Sequence, residues 1–197
     1  LSLLKSVDDL QIDNQHMMVI SPDEGAMKRT MYFSTVLGID IGMFYKRRDY
    51  SVIINGRNPI VAHEFLGSSV EGKDVLIIDD MISSGDSMLD VARELKRRGA
   101  NRIFCISTFG MFTNGLDAFD KAYEDGLIYR VMTTNATYQR PELFTKDWYL
   151  SCDVSKYIAL LIDYMNHEAS IISVLDPHDR IQKRIAEYKE FHTISEE

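Results

Sequence analysis

Residues 75–87 read VLIIDDMISSGDS, and this stretch decides most of the predicted fold. The four β-favouring apolar residues that open this stretch predict a strand buried on both faces, as in a parallel sheet. Two carboxylates, Asp79 and Asp80, follow the strand, and a short loop of serine, glycine and aspartate comes next. Apolar residues at helical spacing then run from Met88 to Leu95. The order of strand, acidic pair, small polar loop and helix predicts an anion-binding site.

The loop at residues 83–87 suits a phosphate group. N–H groups in the first turn of a helix have no acceptor inside the helix, and the helix dipole adds roughly half a positive charge there. Serine hydroxyls donate to the same phosphate oxygens, and Gly85 allows backbone angles that other residues avoid. Asp79 and Asp80 would lie beside the phosphate at the carboxyl edge of the sheet, where they suit a polyol, a magnesium ion or both. A structural alternative, in which one aspartate turns the chain and the other caps a helix, stays open.

Composition excludes several classes of protein. The chain has 197 residues, enough for one full domain with a sizeable core. Its formal net charge of −8 argues against a nucleic-acid partner, so an anionic substrate needs local positive charge. Because no apolar run approaches the roughly twenty residues that span a membrane, we expect no membrane partner. The two cysteines, Cys105 and Cys152, lie far apart in apolar surroundings, as in a reduced cytoplasmic protein.

The loop and its neighbouring segments resemble the ribose-phosphate pyrophosphokinase family, in its C-terminal half, which has the type I phosphoribosyltransferase fold. The matching segments are SPDEGAMKR at residues 21–29, YKRR at residues 45–48 and EGKDVLIIDDM at residues 71–81, which runs into the loop. The resemblance implies an α/β fold, a three-layer, doubly wound and mainly parallel sheet.

The resemblance also implies how the chain is divided. It covers residues 16–175, which would form the phosphoribosyltransferase-like, ribose-5-phosphate-binding domain. Residues 1–15 would be a linker or N-terminal remnant, and residues 176–197 a charged helical extension. Since the sequence begins at Leu1 without a methionine, we expect a fragment or a processed chain whose ATP-binding N-terminal half is missing.

Members of this family transfer the pyrophosphoryl group of magnesium ATP to the anomeric hydroxyl of ribose-5-phosphate, giving phosphoribosyl pyrophosphate and AMP. The resemblance therefore implies magnesium as cofactor, ATP as co-substrate and a homo-oligomer. It implies Lys46 and Arg48 as catalytic residues, on a basic loop that neutralises the transferring group, and Asp23 as a metal ligand. The implied substrate-binding residues are Asp79, Asp80, Ser83, Ser84, Gly85, Asp86 and Ser87.

Four positions depart from the family pattern. Ala26 and Asp86 stand where glycines are usual, Ser83 where an acidic residue is usual, and Phe109 where a histidine near the nucleotide is usual. A carboxylate at Asp86 beside a phosphate dianion is unfavourable unless it points outward, for example as a helix cap.

Two other functions stay open at this point. A phosphoribosyltransferase of nucleotide salvage uses the same loop, although it commonly has an acidic residue at the position of Ser83 and needs a hood over the base. A non-catalytic regulatory subunit or phosphate-binding module would keep the fold without turnover. The YKRR segment at residues 45–48 favours the pyrophosphokinase. We expect this chain alone to bind sugar phosphate and to turn over poorly.

Overall fold

Seven strands form one sheet in the computed structural model, which describes residues 2–48, 60–172 and 176–193. In chain order the strands are β1 (Met17–Ser21), β2 (Ile41–Arg48), β3 (Ile60–Leu66), β4 (Asp74–Ile82), β5 (Ile103–Gly110), β6 (Arg130–Thr134) and β7 (Tyr149–Cys152). Their spatial order is β3-β2-β1-β4-β5-β6-β7. Neighbouring strands are parallel except β2 and β3, which are antiparallel. The predicted α/β, mainly parallel sheet is confirmed.

Helices cover both faces of this sheet. They are α1 (Ser2–Ser6), α2 (Met27–Leu37), α3 (Asp86–Arg97), α4 (Asp117–Glu124), α5 (Ser155–Asn166) and α6 (His178–Thr193), with a short 3₁₀ helix at Pro141–Thr145. Side chains of α3 and α4 share one buried cluster, and side chains of α1, α2 and α6 share another with the opposite face. Within the described residues, no helix is both long and apolar enough to cross a bilayer.

Strand β4 shows why the chain folds into three layers. Val75 and Ile77 belong to the first cluster, whereas Leu76 and Ile78 belong to the second. Successive side chains of a strand point to opposite faces, so the uninterrupted apolar run supplies both cores at once. The predicted strand with two buried faces is therefore confirmed.

The direction of chain growth reverses between β1 and β4. From β1 the chain builds outward to β2 and β3, and from β4 it builds the other way to β5, β6 and β7. Open α/β sheets bind ligands at such a switch point, outside the carboxyl ends of the strands. The loops that follow β1 and β4 both lie at this edge.

Two strands are longer than the sequence predicts. β4 continues through Asp79 and Asp80 to Ile82 because β5 pairs with it as far as Gly110. β2 continues through residues 46–48, which were predicted as part of a loop, because β3 returns antiparallel beside them. The rest of that basic loop, residues 49–59, lies outside the described residues.

The two ends of the chain pack together on one face. Leu10, from the segment interpreted as a linker or remnant, is buried, as are Ile185 and Tyr188 from the predicted extension. The Tyr188 hydroxyl accepts a hydrogen bond from Leu10 N–H at 2.9 Å and donates one to the Val7 carbonyl at 2.9 Å. Both ends thus contribute to the second hydrophobic cluster.

Helix α5 lies at the surface. None of its side chains is fully buried, and Ile158, Ile162 and Met165 are exposed. Its start is held by Asn135, whose side-chain oxygen accepts from Val154 N–H at 2.9 Å and whose amide nitrogen donates to the Ser155 hydroxyl at 2.9 Å.

Candidate functional site

A cleft of about 440 Å³ opens at the switch point of the sheet, between the loops that follow β1 and β4. Its walls come from the turn before α2, the carboxyl end of β4 and the start of α3. The cleft brings together these residues singled out in the sequence: Asp23, Asp79, Asp80, Ser83, Ser84, Gly85 and Ser87. Segments more than fifty residues apart in sequence thus meet at one site.

The Ser/Gly loop ends at the N-terminus of α3. Gly85 is the N-cap, with φ 93°, in the left-handed region that favours glycine. The Leu89 N–H donates to the Gly85 carbonyl at 3.0 Å, closing the first turn. The N–H groups of Ser87 and Met88 precede that bond and so have no acceptor within the helix. Together with the serine hydroxyls they form a set of donors suited to a phosphate.

An aromatic cluster supports this loop from below. A Cβ atom at Gly85 would lie 2.4 Å from the ring of Phe119. That ring is buried, stacks on Trp148 at 5.5 Å between centroids and meets Phe112 edge-on at 5.2 Å. This support cannot be read from the sequence, because only the fold brings Phe119 beneath a loop 34 residues earlier in the chain.

Asp79 and Asp80 form an acidic pair at the end of β4. The Asp80 N–H donates to Asp79 Oδ1 at 2.8 Å, and the Met81 N–H donates to Asp80 Oδ1 at 2.9 Å. Burial raises the pKa of Asp79 to about 6, and the nearby carboxylates of Asp80 and Asp23 act in the same direction. Across the described ranges, neither Asp79 nor Asp80 forms an ion pair. Their oxygens are available to accept hydrogen bonds from a ligand.

The turn after β1 forms the opposite wall. Asp23 Oδ1 accepts from the Ala26 N–H at 3.2 Å, and the Ser21 hydroxyl donates to the Asp23 carbonyl at 2.7 Å. Asp23 therefore shapes the turn as well as facing the cleft. Arg29, one helical turn further along, is the basic residue among the described cleft-lining residues. The SPDEGAMKR segment contained this arginine, but its position in the cleft depends on where α2 packs.

Asp86 and Phe109 are not among the described residues that line the cleft. Asp86 is the first residue of α3, and its Oδ2 accepts a hydrogen bond from the Ser84 hydroxyl at 2.9 Å. Lys46 and Arg48 lie in β2, but their side chains fall outside what the structure describes. Phe109 lies in β5 beside Met81 and is 38% exposed.

The carboxylates of the cleft suit magnesium only if water and substrate phosphate oxygens complete its coordination shell. No group of three or more His, Cys, Asp or Glu side chains in the described residues could hold a metal ion by itself. Magnesium commonly takes one or two carboxylates and completes its shell with water and substrate phosphate oxygens. Asp23, Asp79 and Asp80, which border the same cleft, suit that kind of binding.

Comparison with known proteins finds relatives that are longer than this chain. The ribose-phosphate pyrophosphokinase of Ureaplasma parvum serovar 3 is 29% identical over 140 residues, 71% of this chain and 40% of the relative. The protein of the same name from Vibrio parahaemolyticus is 29% identical over 175 residues, 88% of this chain and 52% of the relative. This chain therefore spans about half the length of these two relatives, or less.

A crystal structure of phosphoribosylpyrophosphate synthetase from Mycobacterium smegmatis matches the fold with a TM-score of 0.64 at 19% identity, over 78% of this chain and 46% of that one. The family model described as phosphoribosyl transferase domain matches residues 2–128, which include β1, β4, the Ser/Gly loop and α3. Since that match takes in well over half of the residues and every wall of the described cleft, the chain belongs to the phosphoribosyl transferase domain family.

Proposed function

We propose that the chain binds ribose-5-phosphate for a ribose-phosphate diphosphokinase reaction, in which the pyrophosphoryl group of ATP is transferred to the anomeric hydroxyl. The observation that carries this proposal is the cleft itself. In it, the acidic pair at the end of β4 and the donor-rich N-terminus of α3 lie side by side. A sugar phosphate has the matching chemistry, since it presents hydroxyl donors at one end and phosphate acceptors at the other.

Each wall then has a role. The N–H groups at the start of α3, with the hydroxyls of Ser84 and Ser87, hold the 5-phosphate. Asp79 and Asp80 accept hydrogen bonds from the ribose hydroxyls and fix the sugar ring. Arg29 places positive charge on the far side of the cleft, where it would balance a second phosphate group.

The transfer step needs groups beyond these. Lys46 and Arg48 are proposed to neutralise the transferring pyrophosphoryl group. Magnesium, held by Asp23 or the acidic pair together with ATP, would supply further charge neutralisation on the phosphates. The relatives named ribose-phosphate pyrophosphokinase are about twice as long as the matched region. We therefore place most of the ATP contacts outside this chain, in further sequence or in a neighbouring subunit of a homo-oligomer.

Isothermal titration calorimetry with three ligands tests the sugar-phosphate assignment. The chain is expected to bind ribose-5-phosphate more tightly than either ribose or inorganic phosphate, because only the complete ligand reaches both walls. Asp80→Asn should weaken ribose-5-phosphate binding about tenfold, the loss of one charge-assisted hydrogen bond.

Asp90→Asn is the matched control for Asp80→Asn, since Asp90 is an exposed aspartate of α3 that pairs with Arg93 away from the cleft. Equal affinity for all three ligands, or no binding of ribose-5-phosphate, would refute the proposal. Release of AMP from ATP and ribose-5-phosphate by a longer protein that contains this chain supports the diphosphokinase. Consumption of phosphoribosyl pyrophosphate with a free base would instead make the chain a phosphoribosyltransferase.

A further inference from the structure

We infer that Asp86 limits the phosphate affinity of the cleft by competing with the ligand for the hydroxyl of Ser84. This inference rests on the proposed function, because it assigns a role to one residue beside the proposed phosphate position. Asp86 is thereby a residue that lowers the affinity of the site for a phosphate group and does not bind it.

The competition follows from the hydrogen bonds at the start of α3. Ser84 Oγ donates to Asp86 Oδ2 at 2.9 Å, and the Asp86 N–H approaches the same Oγ at 3.4 Å. A serine hydroxyl carries a single proton. Ser84 can therefore donate to the Asp86 carboxylate or to a phosphate oxygen, but not to both at the same time.

The carboxylate of Asp86 supplies negative charge at the end of α3 where a bound anion would otherwise be stabilised. It is the acidic residue in the first turn of α3, directly after the N-cap Gly85, whose neighbourhood holds the free N–H groups. Negative charge is stabilised at this end of a helix, whether it comes from a side chain or from a ligand. The carboxylate thus adds negative charge at the helix end to which the proposed phosphate would bind.

Charge repulsion adds to the competition. A phosphate oxygen that accepts from Ser84 Oγ would lie roughly 5 Å from the Asp86 carboxylate, given ordinary hydrogen-bond lengths. The described cleft-lining residues already include Asp23, Asp79 and Asp80 against Arg29. A further carboxylate beside the phosphate therefore opposes binding of any phosphate ligand, and more strongly at low ionic strength.

A consequence is that a phosphate ligand needs contacts with both walls of the cleft to bind tightly. Inorganic phosphate contacts only the N-terminus of α3, so repulsion by Asp86 offsets most of its binding free energy. Ribose-5-phosphate keeps its contacts with the acidic pair in addition. Asp86 therefore keeps free phosphate from filling the site while a sugar phosphate still binds.

Calorimetric titration of ribose-5-phosphate tests the inference with Asp86→Asn and Asp86→Gly, each measured at low and at high salt. At low salt, Asp86→Gly should bind about tenfold more tightly than the unmodified chain, and Asp86→Asn should gain less, because its amide oxygen can still accept from the Ser84 hydroxyl. The gain should shrink at high salt, since the repulsion is screened over about 10 Å at 0.1 M ionic strength and over less at higher salt. Inorganic phosphate should gain by at least as large a factor.

Asp90→Asn is again the matched control, because it removes one carboxylate from the same helix about one turn further from the cleft. The affinity of this variant for ribose-5-phosphate should change less than about twofold. If the unmodified chain binds ribose-5-phosphate and both Asp86 variants bind it equally or more weakly, the inference is overturned and the proposed function stands. If neither the unmodified chain nor any variant binds ribose-5-phosphate, the proposed function is overturned as well. A gain that is independent of salt would show that the carboxylate does not act through charge.

Discussion

Asp74 lies at the amino end of β4 and Asp79 lies towards its carboxyl end, and the two carboxylates have contrasting surroundings. Asp74, at the amino end, is 5% exposed and forms an ion pair with Arg102, with Nη2 to Oδ2 at 2.6 Å. Its Oδ1 also accepts from the Asn101 amide at 2.9 Å. Asp79, at the carboxyl end, is half-buried among other carboxylates, and its pKa is raised to about 6.

The difference separates a carboxylate that serves the fold from one that is available to a ligand. At the amino end, Arg102 also binds Asp9 at 2.6 Å, so one guanidinium joins β4 to the N-terminal segment. These hydrogen bonds raise the pKa of Arg102. At the carboxyl end, a half-buried carboxyl without a cation among the described residues costs stability, and such sites are where ligands commonly bind.

The largest expected effect comes from breaking the amino-end pair. Arg102→Met leaves the buried Asp74 carboxylate without its cation, and we expect unfolding free energy to fall by about 3 to 5 kcal/mol. Urea denaturation followed by circular dichroism measures the change. Arg93→Met is the control, because Arg93 pairs with Asp90 at the surface and its loss should cost less than about 1 kcal/mol. Similar losses in both variants would erase the distinction between the buried pair and a surface pair.

The next effect sharpens the comparison at the carboxyl end. Gly85→Ala places a methyl group against the Phe119 ring on a backbone with φ 93°, and we expect a loss of about 2 to 3 kcal/mol in stability. Ribose-5-phosphate binding should weaken in parallel, because the loop shifts.

Gly115→Ala separates backbone strain from the clash at Gly85. Gly115 has φ 86°, and a Cβ there would meet nothing within 4 Å, so its replacement should cost only about 1 kcal/mol. Equal losses at the two glycines in urea denaturation would show that the aromatic cluster does not support the Ser/Gly loop.

The smallest effect is a pH-dependent gain from Asp79→Asn. In the unfolded chain this carboxyl titrates near 3.8, and in the folded chain near 6. Between these values the native state keeps a proton that the unfolded state has released, so stability contributed by this group falls as pH rises from about 4 to about 6. Above pH 6 the variant should be more stable than the unmodified chain by about 1 kcal/mol, since the group is half exposed and solvent screens the effect.

Urea denaturation at pH 4 and at pH 7.5 measures this gain, which should be much smaller at the lower pH. Asp90→Asn, at an exposed position, should show no such change between the two pH values. An Asp79→Asn difference that is the same at both pH values would contradict the raised pKa.

The sequence alone predicts the parts of the molecule that depend on neighbouring residues. The apolar run at residues 75–78 predicts a strand with two buried faces, and the serines and glycine after Asp80 predict a small polar loop before a helix, which the structure places at the cleft. These features follow from periodicity and from turn chemistry, which act over a few residues.

Features that depend on distant residues were not predictable in this way. Phe119 beneath Gly85 and Tyr188 bonded to Val7 join positions that only the completed fold brings together. The contact between Ser84 and Asp86 is local, yet the sequence indicated only that this carboxylate is unfavourable beside a phosphate unless it points outward, and it did not predict the hydrogen bond to Ser84.

The binding mode of ribose-5-phosphate decides whether the carboxyl end of β4 binds a ligand while its amino end stabilises the fold. A crystal structure of the chain grown with ribose-5-phosphate shows it directly. We predict the phosphate at the N-terminus of α3, within hydrogen-bond distance of Ser87, and the ribose hydroxyls on Asp79 and Asp80. A phosphate bound at Arg29 with the sugar turned away from the acidic pair, or a ligand bound outside the cleft, would contradict this assignment.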